Sequence, residues 1–245
     1  MTRAARLIAV ADIACRRSDQ RWVFAEENAG AIARHWAARR RDTPALYDGR
    51  VLLARQFNIV AGPGGDILSL DVFETRFSSF LYWRDFGWPD QSVFNCFSMP
   101  AVRSVDGAFL LGEMGADHSN AGEIYFPCGT PDPSDVRSDG TVDLVGSLTR
   151  ELAEETGLQA APQMLADGWT IIFDGQRIAC VKRIDWPQTT DALAAQARAF
   201  LAAEARPELA DVHVIARGDP LDDPRLPPFM VQFLSHAFAN ARGRG

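Results

Sequence analysis

Residues 143–158 read DLVGSLTRELAEETGL, and this segment restricts the fold more than any other. Leu144, Leu148 and Leu152 recur every four residues, so on a helix they form one apolar stripe that a core must cover. Glu151, Glu154 and Glu155 lie three and four apart and project together from adjoining turns. Gly157 follows the last turn, where a left-handed residue ends a helix. Solvated like charges at this spacing cost only about 0.2–0.5 kcal/mol, so an idle acidic face is tolerable. These acids, however, gather at the C-terminal end of the helix, where the dipole disfavours them. A hard divalent cation, Mg²⁺ or Mn²⁺, would turn the repulsion into coordination by oxygen ligands.

The surrounding chain alternates strand and helix signals. LIAVADIAC predicts a first strand, and AEENAGAIARHWAARRRD predicts an amphipathic helix with acids at its start and Arg39, Arg40 and Arg41 at its end, matching the helix dipole. GRVLLARQFNIV and DILSLDVFE flank AGPGG and predict a hairpin or two adjacent strands. A further helix is expected over TRFSSFLYWRDFG. GWPDQ, at 87–91, marks a boundary between this leading layer and the remainder. Three strands follow at FSMPAVRS, GAFLLGEM and GEIYFPCG, then a polar loop, TPDPSDVRSDG, too rich in Pro, Asp and Ser for regular structure. After the acidic helix come strands at GWTIIFDG and RIACVKRI, a helix over about 190–205, a strand at DVHVIAR and a helix from Pro228. Such alternation predicts an α/β or α+β sandwich with a mixed sheet, with an added α/β layer over 1–90 and the main domain over 91–245.

An apolar fraction of 47% over 245 residues supports a full core. A net charge of −7 argues against sequence-independent binding to nucleic acid, which needs basic surface. No apolar run approaches the roughly 20 residues that span a bilayer, so no membrane partner is expected. Cys15, Cys96, Cys128 and Cys180 form no CxxC pair and read as reduced, mostly buried thiols of a cytoplasmic protein. His35, His118, His213 and His236 have no spaced partner that would suggest a zinc site or a triad, and are read as structural or surface residues.

The segment RELAEETGL resembles the second half of the Nudix hydrolase signature, G-x5-E-x7-R-E-U-x-E-E-x-G-U with U aliphatic. Arg150, Glu151, Leu152, Glu154, Glu155, Gly157 and Leu158 match at every specified position. The first half departs from it. Gly129, in FPCGTP, stands for the signature glycine, and counting five residues on brings Asp135 to the place of the first glutamate. Fourteen residues then separate Asp135 from Arg150 instead of seven, while counting back from Arg150 reaches Val142, beside Asp143. An insertion of seven residues, with either Asp135 or Asp143 as a shortened substitute, accounts for both counts.

The resemblance implies a Nudix-type α/β/α sandwich and hydrolysis of a nucleoside diphosphate linked to another group. It implies Glu154 and Glu155 as direct Mg²⁺ or Mn²⁺ ligands, Glu151 as a ligand or positioning group, and Arg150 as the ion-pair partner that holds the acids. A further glutamate often serves such enzymes as general base or extra ligand, and Glu204 and Glu208 are the later acids considered, with Glu208 preceding a strand. The leading layer mixes Arg76 and Arg84 with Phe80, Tyr82, Trp83, Phe86 and Trp88. Arginines there would clamp phosphate and aromatics would stack on a base, although core packing claims most of the rings. Gly129 is a further substrate-side candidate. The leading layer loosely resembles that of Nudix enzymes acting on nucleotide sugars, so a small nucleotide is the expected partner, and a homodimer is expected by the same resemblance. The alternative is a non-catalytic nucleotide-sensing module of the same fold.

Overall fold

The opening apolar run folds as two strands rather than one. In the computed structural model, which describes residues 6–240, β1 (Arg6–Val10) and β2 (Asp12–Arg17) are separated by a bend at Ala11. The Ala11 N–H donates to Asp66 O at 2.7 Å, and the bend sends the two halves into different sheets. Residues 1–5, at the start of that stretch, lie outside the described range.

The amphipathic stretch begins with a short α1 (Val23–Glu27) and continues as α2 (Ala29–Asp42). Between them the Asn28 side-chain amide donates to Phe24 O at 2.8 Å. The glycine-rich AGPGG closes an antiparallel hairpin between β3 (Arg50–Gly62) and β4 (Gly65–Arg76), with Gly65 at a φ of +126° that favours a residue without Cβ. β2 pairs with β4 in parallel, giving a three-stranded sheet in the order β2-β4-β3. α3 (Phe77–Asp85) follows directly.

The larger sheet has seven strands. Five further strands join β1: β5 (Asn95–Arg103), β6 (Phe109–Met114), β8 (Trp169–Asp174), β9 (Arg177–Asp185) and β10 (Leu209–Ile215), in the order β1-β8-β9-β5-β6-β10. β5 and β9 run parallel and the other neighbours antiparallel, so the sheet is mixed. The strand expected over 122–129 shrinks to β7 (Ile124–Tyr125), paired with β6. Pro127 has no N–H to donate to a longer ladder, and Ile124 N–H is already taken by Arg225 O. The polar loop is not wholly irregular: Pro133–Asp135 form a 3₁₀ turn in which the Asp132 and Asp135 carboxylates each accept a backbone N–H from the other end.

Helices cover both faces of this sheet. On one side lie α4 (Leu144–Thr156) and α5 (Thr190–Ala203), and Ser98 of β5 donates from Oγ to Leu144 O at 3.1 Å. On the other lies α6 (Pro228–Asn240), where Phe229 meets Phe97 and Phe233 meets Phe109 and Phe126 edge-on. Alternation along β5 explains this, because Phe97 and Ser98 must point to opposite faces. The architecture is an α+β sandwich with a mixed sheet. One large core cluster draws residues from Val10 and Leu52 through Leu148 to Leu234. The sheets and this core therefore cross the boundary expected near residue 90: β1 is an edge strand of the larger sheet, and Phe57 of β3 stacks on Phe173 of β8 with centroids 5.0 Å apart. A second, aromatic cluster of Trp22, Phe73, Phe80 and Trp83 lies under α3 and accounts for much of the ring-rich segment. Among the described residues, no helix is long and apolar enough to cross a membrane.

Candidate active site

α4 forms as its sequence requires. The Asp143 carboxylate accepts the Gly146 N–H at 2.9 Å as N-cap, Leu148 and Leu152 are wholly buried, and Gly157 ends the helix at a φ of +71°. These anchors fix the rotation of the helix and hence the direction of its carboxylates. Arg150 binds three of the surrounding acids at once. Its Nη1 donates to Glu151 Oε1 at 2.8 Å and to Glu154 Oε2 at 3.3 Å, and its Nη2 donates to Asp135 Oδ1 at 3.2 Å.

The two counts for the degenerate half of the signature separate here. Asp135, buried on its 3₁₀ turn, is the acid that reaches Arg150. Asp143 caps α4 instead and pairs with Arg137 at 2.9 Å, while Val142 is a core residue. Gly129 packs directly on Glu151: a Cβ there would sit 2.6 Å from Glu151 Oε1, so only glycine admits the carboxylate at this place.

Exposure differs sharply along the acidic face. The Glu154 side chain is 59% exposed, whereas Glu155 retains 3% of its surface and its Oε2 has no hydrogen-bond partner. Glu208, immediately before β10, faces the same acids. Burial pushes the Glu155 carboxyl well above the ordinary range, and Glu208 and Glu151 push it further. Burial likewise raises Glu151 to about 7 against the pull of Arg150, with Glu154 and Glu208 adding to the rise. Glu208 is raised by burial and by Glu154. Burial and the nearby Glu155 push the Cys128 thiol well up.

Glu151, Glu208 and Cys128 line a cavity of about 400 Å³ together with Gly129, Phe80, Arg84, Trp88 and Arg177. Arg84 is mostly enclosed, and its Nη1 donates to Asn120 Oδ1 at 2.9 Å. Arg177 lies over the Trp88 ring, 5.6 Å from its centroid, and Trp88 holds a φ of +60° that is unusual for a bulky residue. Arg76 is not part of this arrangement. Its side chain is 61% exposed and pairs with Asp48 at 3.5 Å, because the last residue of β4 points away from the cavity that α3 lines. Glu204 caps the end of α5 and does not line the cavity. Among the other rings, Trp83 is buried in the aromatic core and Phe86 is exposed.

Cavity residues that the sequence does not single out for the site include His118, Asn120, Glu123, Arg177 and Arg225. The β6–β7 loop, β9 and the segment before α6 bring them in, and no spacing in the sequence marks them. His118 was expected to be structural or on the surface; instead it is largely enclosed, and burial and the nearby Arg84 hold its imidazole down at about 4, so it is neutral at pH 7. His35, His213 and His236 pair locally with Asp85, Glu113 and Asn240, outside the cavity. Cys15, Cys96 and Cys180 are buried and Cys128 half-buried, as free thiols.

Whether the carboxylates suit a divalent cation is decided by their chemistry. A buried Glu155 oxygen without a partner, beside Glu151 and Glu208, is an all-oxygen set with charge to spare, which fits Mg²⁺ or Mn²⁺. Among the described residues, however, no three acidic, histidine or cysteine side chains converge tightly enough to form a finished cage.

No family model and no curated protein matches the chain. Solved structures do. A MutT protein from Methanosarcina mazei Go1 is 19% identical with a TM-score of 0.41, covering 62% of this chain and 96% of its own. A bifunctional NMN adenylyltransferase/ADP ribose pyrophosphatase from Francisella tularensis, complexed with AMP and a Mn ion, is 15% identical with a TM-score of 0.45 over 66% of this chain; this chain spans only 46% of that one. The Nudix domain of NrtR from Shewanella oneidensis, complexed with ADP ribose, is 15% identical with a TM-score of 0.38, covering 61% of this chain and 88% of its own. All three likenesses are partial, at TM-scores of 0.38 to 0.45 and identities of 15 to 19%.

Proposed function

We propose that the protein is a Nudix-type hydrolase that uses a divalent cation to cleave the diphosphate of a nucleoside diphosphate derivative. The observation that carries this reading is that Glu151 and Glu208 line the cavity while Glu155, buried on the same helix end, has an unpartnered oxygen and feels both of them, with burial and mutual repulsion holding the three carboxyls up. A diphosphate and a cation would each relieve what the other aggravates. Glu155 and Glu151 would hold Mg²⁺ or Mn²⁺ with Glu154, and the cation would supply charge neutralisation for the phosphate oxygens. Arg150 offsets the repulsion between Glu151 and Glu154 by donating to both and ties the helix to Asp135. Glu208 takes the proton of the attacking water as its oxygen bonds to phosphorus, and the bridging P–O bond breaks with its electron pair leaving on the departing phosphate.

Arg84 and Arg177 also line the cavity and supply positive charge for phosphate, and the Trp88 ring supplies aromatic surface beside them for a base. UDP- and ADP-sugars are the first substrates to try. The test is release of nucleotide and phosphate from a panel of nucleotide sugars, dinucleotides and nucleoside triphosphates with Mg²⁺ or Mn²⁺. Turnover that disappears in Glu154→Gln while nucleotide binding persists supports the reading; no cleavage of any compound overturns it. A second reading, a nucleotide-sensing module without turnover, is favoured by the unfinished cation cage and by Arg150 occupying two of the helix acids. Binding without cleavage in the same assay is its signature.

A further inference from the structure

The loop between β6 and β7 is docked on the residue proposed as general base. Gly115 N–H donates to Glu208 O at 2.8 Å, and a Cβ at Gly115 would lie 2.6 Å from that oxygen, so glycine is needed for the contact. Three residues on, His118 N–H donates back to Gly115 O at 3.0 Å, which turns the imidazole toward Glu208. Its tautomer is fixed from the far side. The Asn120 backbone N–H donates to His118 Nδ1 at 3.1 Å, so in the neutral ring Nε2 must carry the hydrogen. Asn120 is itself held on two sides, accepting from Arg84 Nη1 at 2.9 Å and donating from Nδ2 to Tyr125 Oη at 3.2 Å. The Nε2 of His118 then stands 3.7 Å from Glu208 Oε1, beyond hydrogen-bond range but facing the carboxylate.

We infer that His118 is a positioning residue whose Nε2–H orients the Glu208 carboxylate toward the attacking water. The inference rests on the hydrolase reading of the site. It connects Arg84 of α3 through Asn120 and His118 to Glu208, so one wall of the cavity sets the aim of a group on another. Orienting the carboxylate requires this 3.7 Å gap to shorten to hydrogen-bond length in the substrate complex, where catalytic hydrogen bonds commonly tighten. His118 and Glu208 also border a second hollow, about 320 Å³, that reaches Leu46 and Tyr47.

Two substitutions divide the functions of the ring. His118→Asn keeps an acceptor for Asn120 N–H and loses the reach to Glu208; His118→Gln keeps a donor near the Nε2 place. With Mg²⁺ and whichever of ADP-ribose or UDP-glucose is cleaved, His118→Asn lowers kcat by about 10- to 100-fold at unchanged KM. His118→Gln recovers most of that loss. Equal behaviour of the two variants, or a loss confined to KM, overturns the inference. A second measurement needs no turnover: ¹⁵N NMR of the full chain at neutral pH shows His118 as the Nε2–H tautomer, with an Nε2 resonance that moves in Glu208→Gln. An Nδ1–H tautomer, or a resonance indifferent to Glu208, refutes the pairing. If the wild-type protein cleaves neither compound, the comparison is made on whichever member of the wider nucleotide panel it does cleave; if it cleaves none, the hydrolase reading falls while the NMR result still decides the pair.

Discussion

Glu151 offers a test in which two physical effects predict opposite signs. Its carboxylate accepts a hydrogen bond from Arg150 at 2.8 Å, and an ion pair alone would depress its proton affinity and make the fold more stable as pH rises. Burial opposes this and wins, raising the group from 4.5 to about 7. A raised carboxyl means that the folded state keeps the proton after the unfolded chain has lost it. The contribution is therefore complete below pH 4.5 and is lost as pH rises toward 7. That rise corresponds to about 3 kcal/mol, at about 1.4 kcal/mol for each tenfold change in affinity. The assay is urea unfolding of wild type and Glu151→Gln across pH 4 to 8 with a chelator present, because the difference between the two cancels the titrating groups that do not feel Glu151. Wild type should lose on the order of 3 kcal/mol relative to Gln between the two limits, then level off. A difference that stays flat, or that grows in favour of wild type with pH, refutes the claim that desolvation outweighs the Arg150 pair. Under the proposed function, Mg²⁺ at pH 8 raises the stability of wild type more than that of Glu151→Gln, by mass action on the folded state.

Three further outcomes follow from named contacts. Gly129→Ala puts a methyl group 2.6 Å from Glu151 Oε1 and must displace that carboxylate, so turnover falls sharply while thermal unfolding moves little. Leu148→Ala, at a fully buried position of α4, costs about 2–5 kcal/mol in denaturant unfolding through lost burial and the cavity left behind. Arg150→Ala leaves buried Asp135 without its cation and lowers stability by about 1–3 kcal/mol, and Arg150→Lys restores only part of this because one ammonium cannot span three carboxylates. Chemical denaturation measures both.

The acidic helix was legible in the sequence because everything that defines it is local. A leucine every four residues, a capping Asp143 and a closing Gly157 state their meaning within one stretch of chain, and α4 forms between them. The β3–β4 hairpin was legible for the same reason, since AGPGG dictates its own turn. The strand read as LIAVADIAC was not: its periodicity is that of a strand throughout, and only the competition of β8 and β4 for its two halves breaks it at Ala11. The choice between Asp135 and Asp143 was equally closed to counting. It depended on a 3₁₀ turn that carries Asp135 across fifteen positions to Arg150, while Asp143 was already engaged as a cap.

What the sequence determined by itself is that Glu151, Glu154 and Glu155 share one face, because carboxylates at helical spacing must do so wherever that helix lies. What only the tertiary structure decided is which groups meet them. Glu208 arrives from the start of β10, His118 and Asn120 from the β6–β7 loop, and Arg84 from α3, and each is distant from α4 in the chain. Their approach is set by how helices and loops pack against the mixed sheet, and burial at that meeting point, which no local pattern records, is what raises the carboxyls.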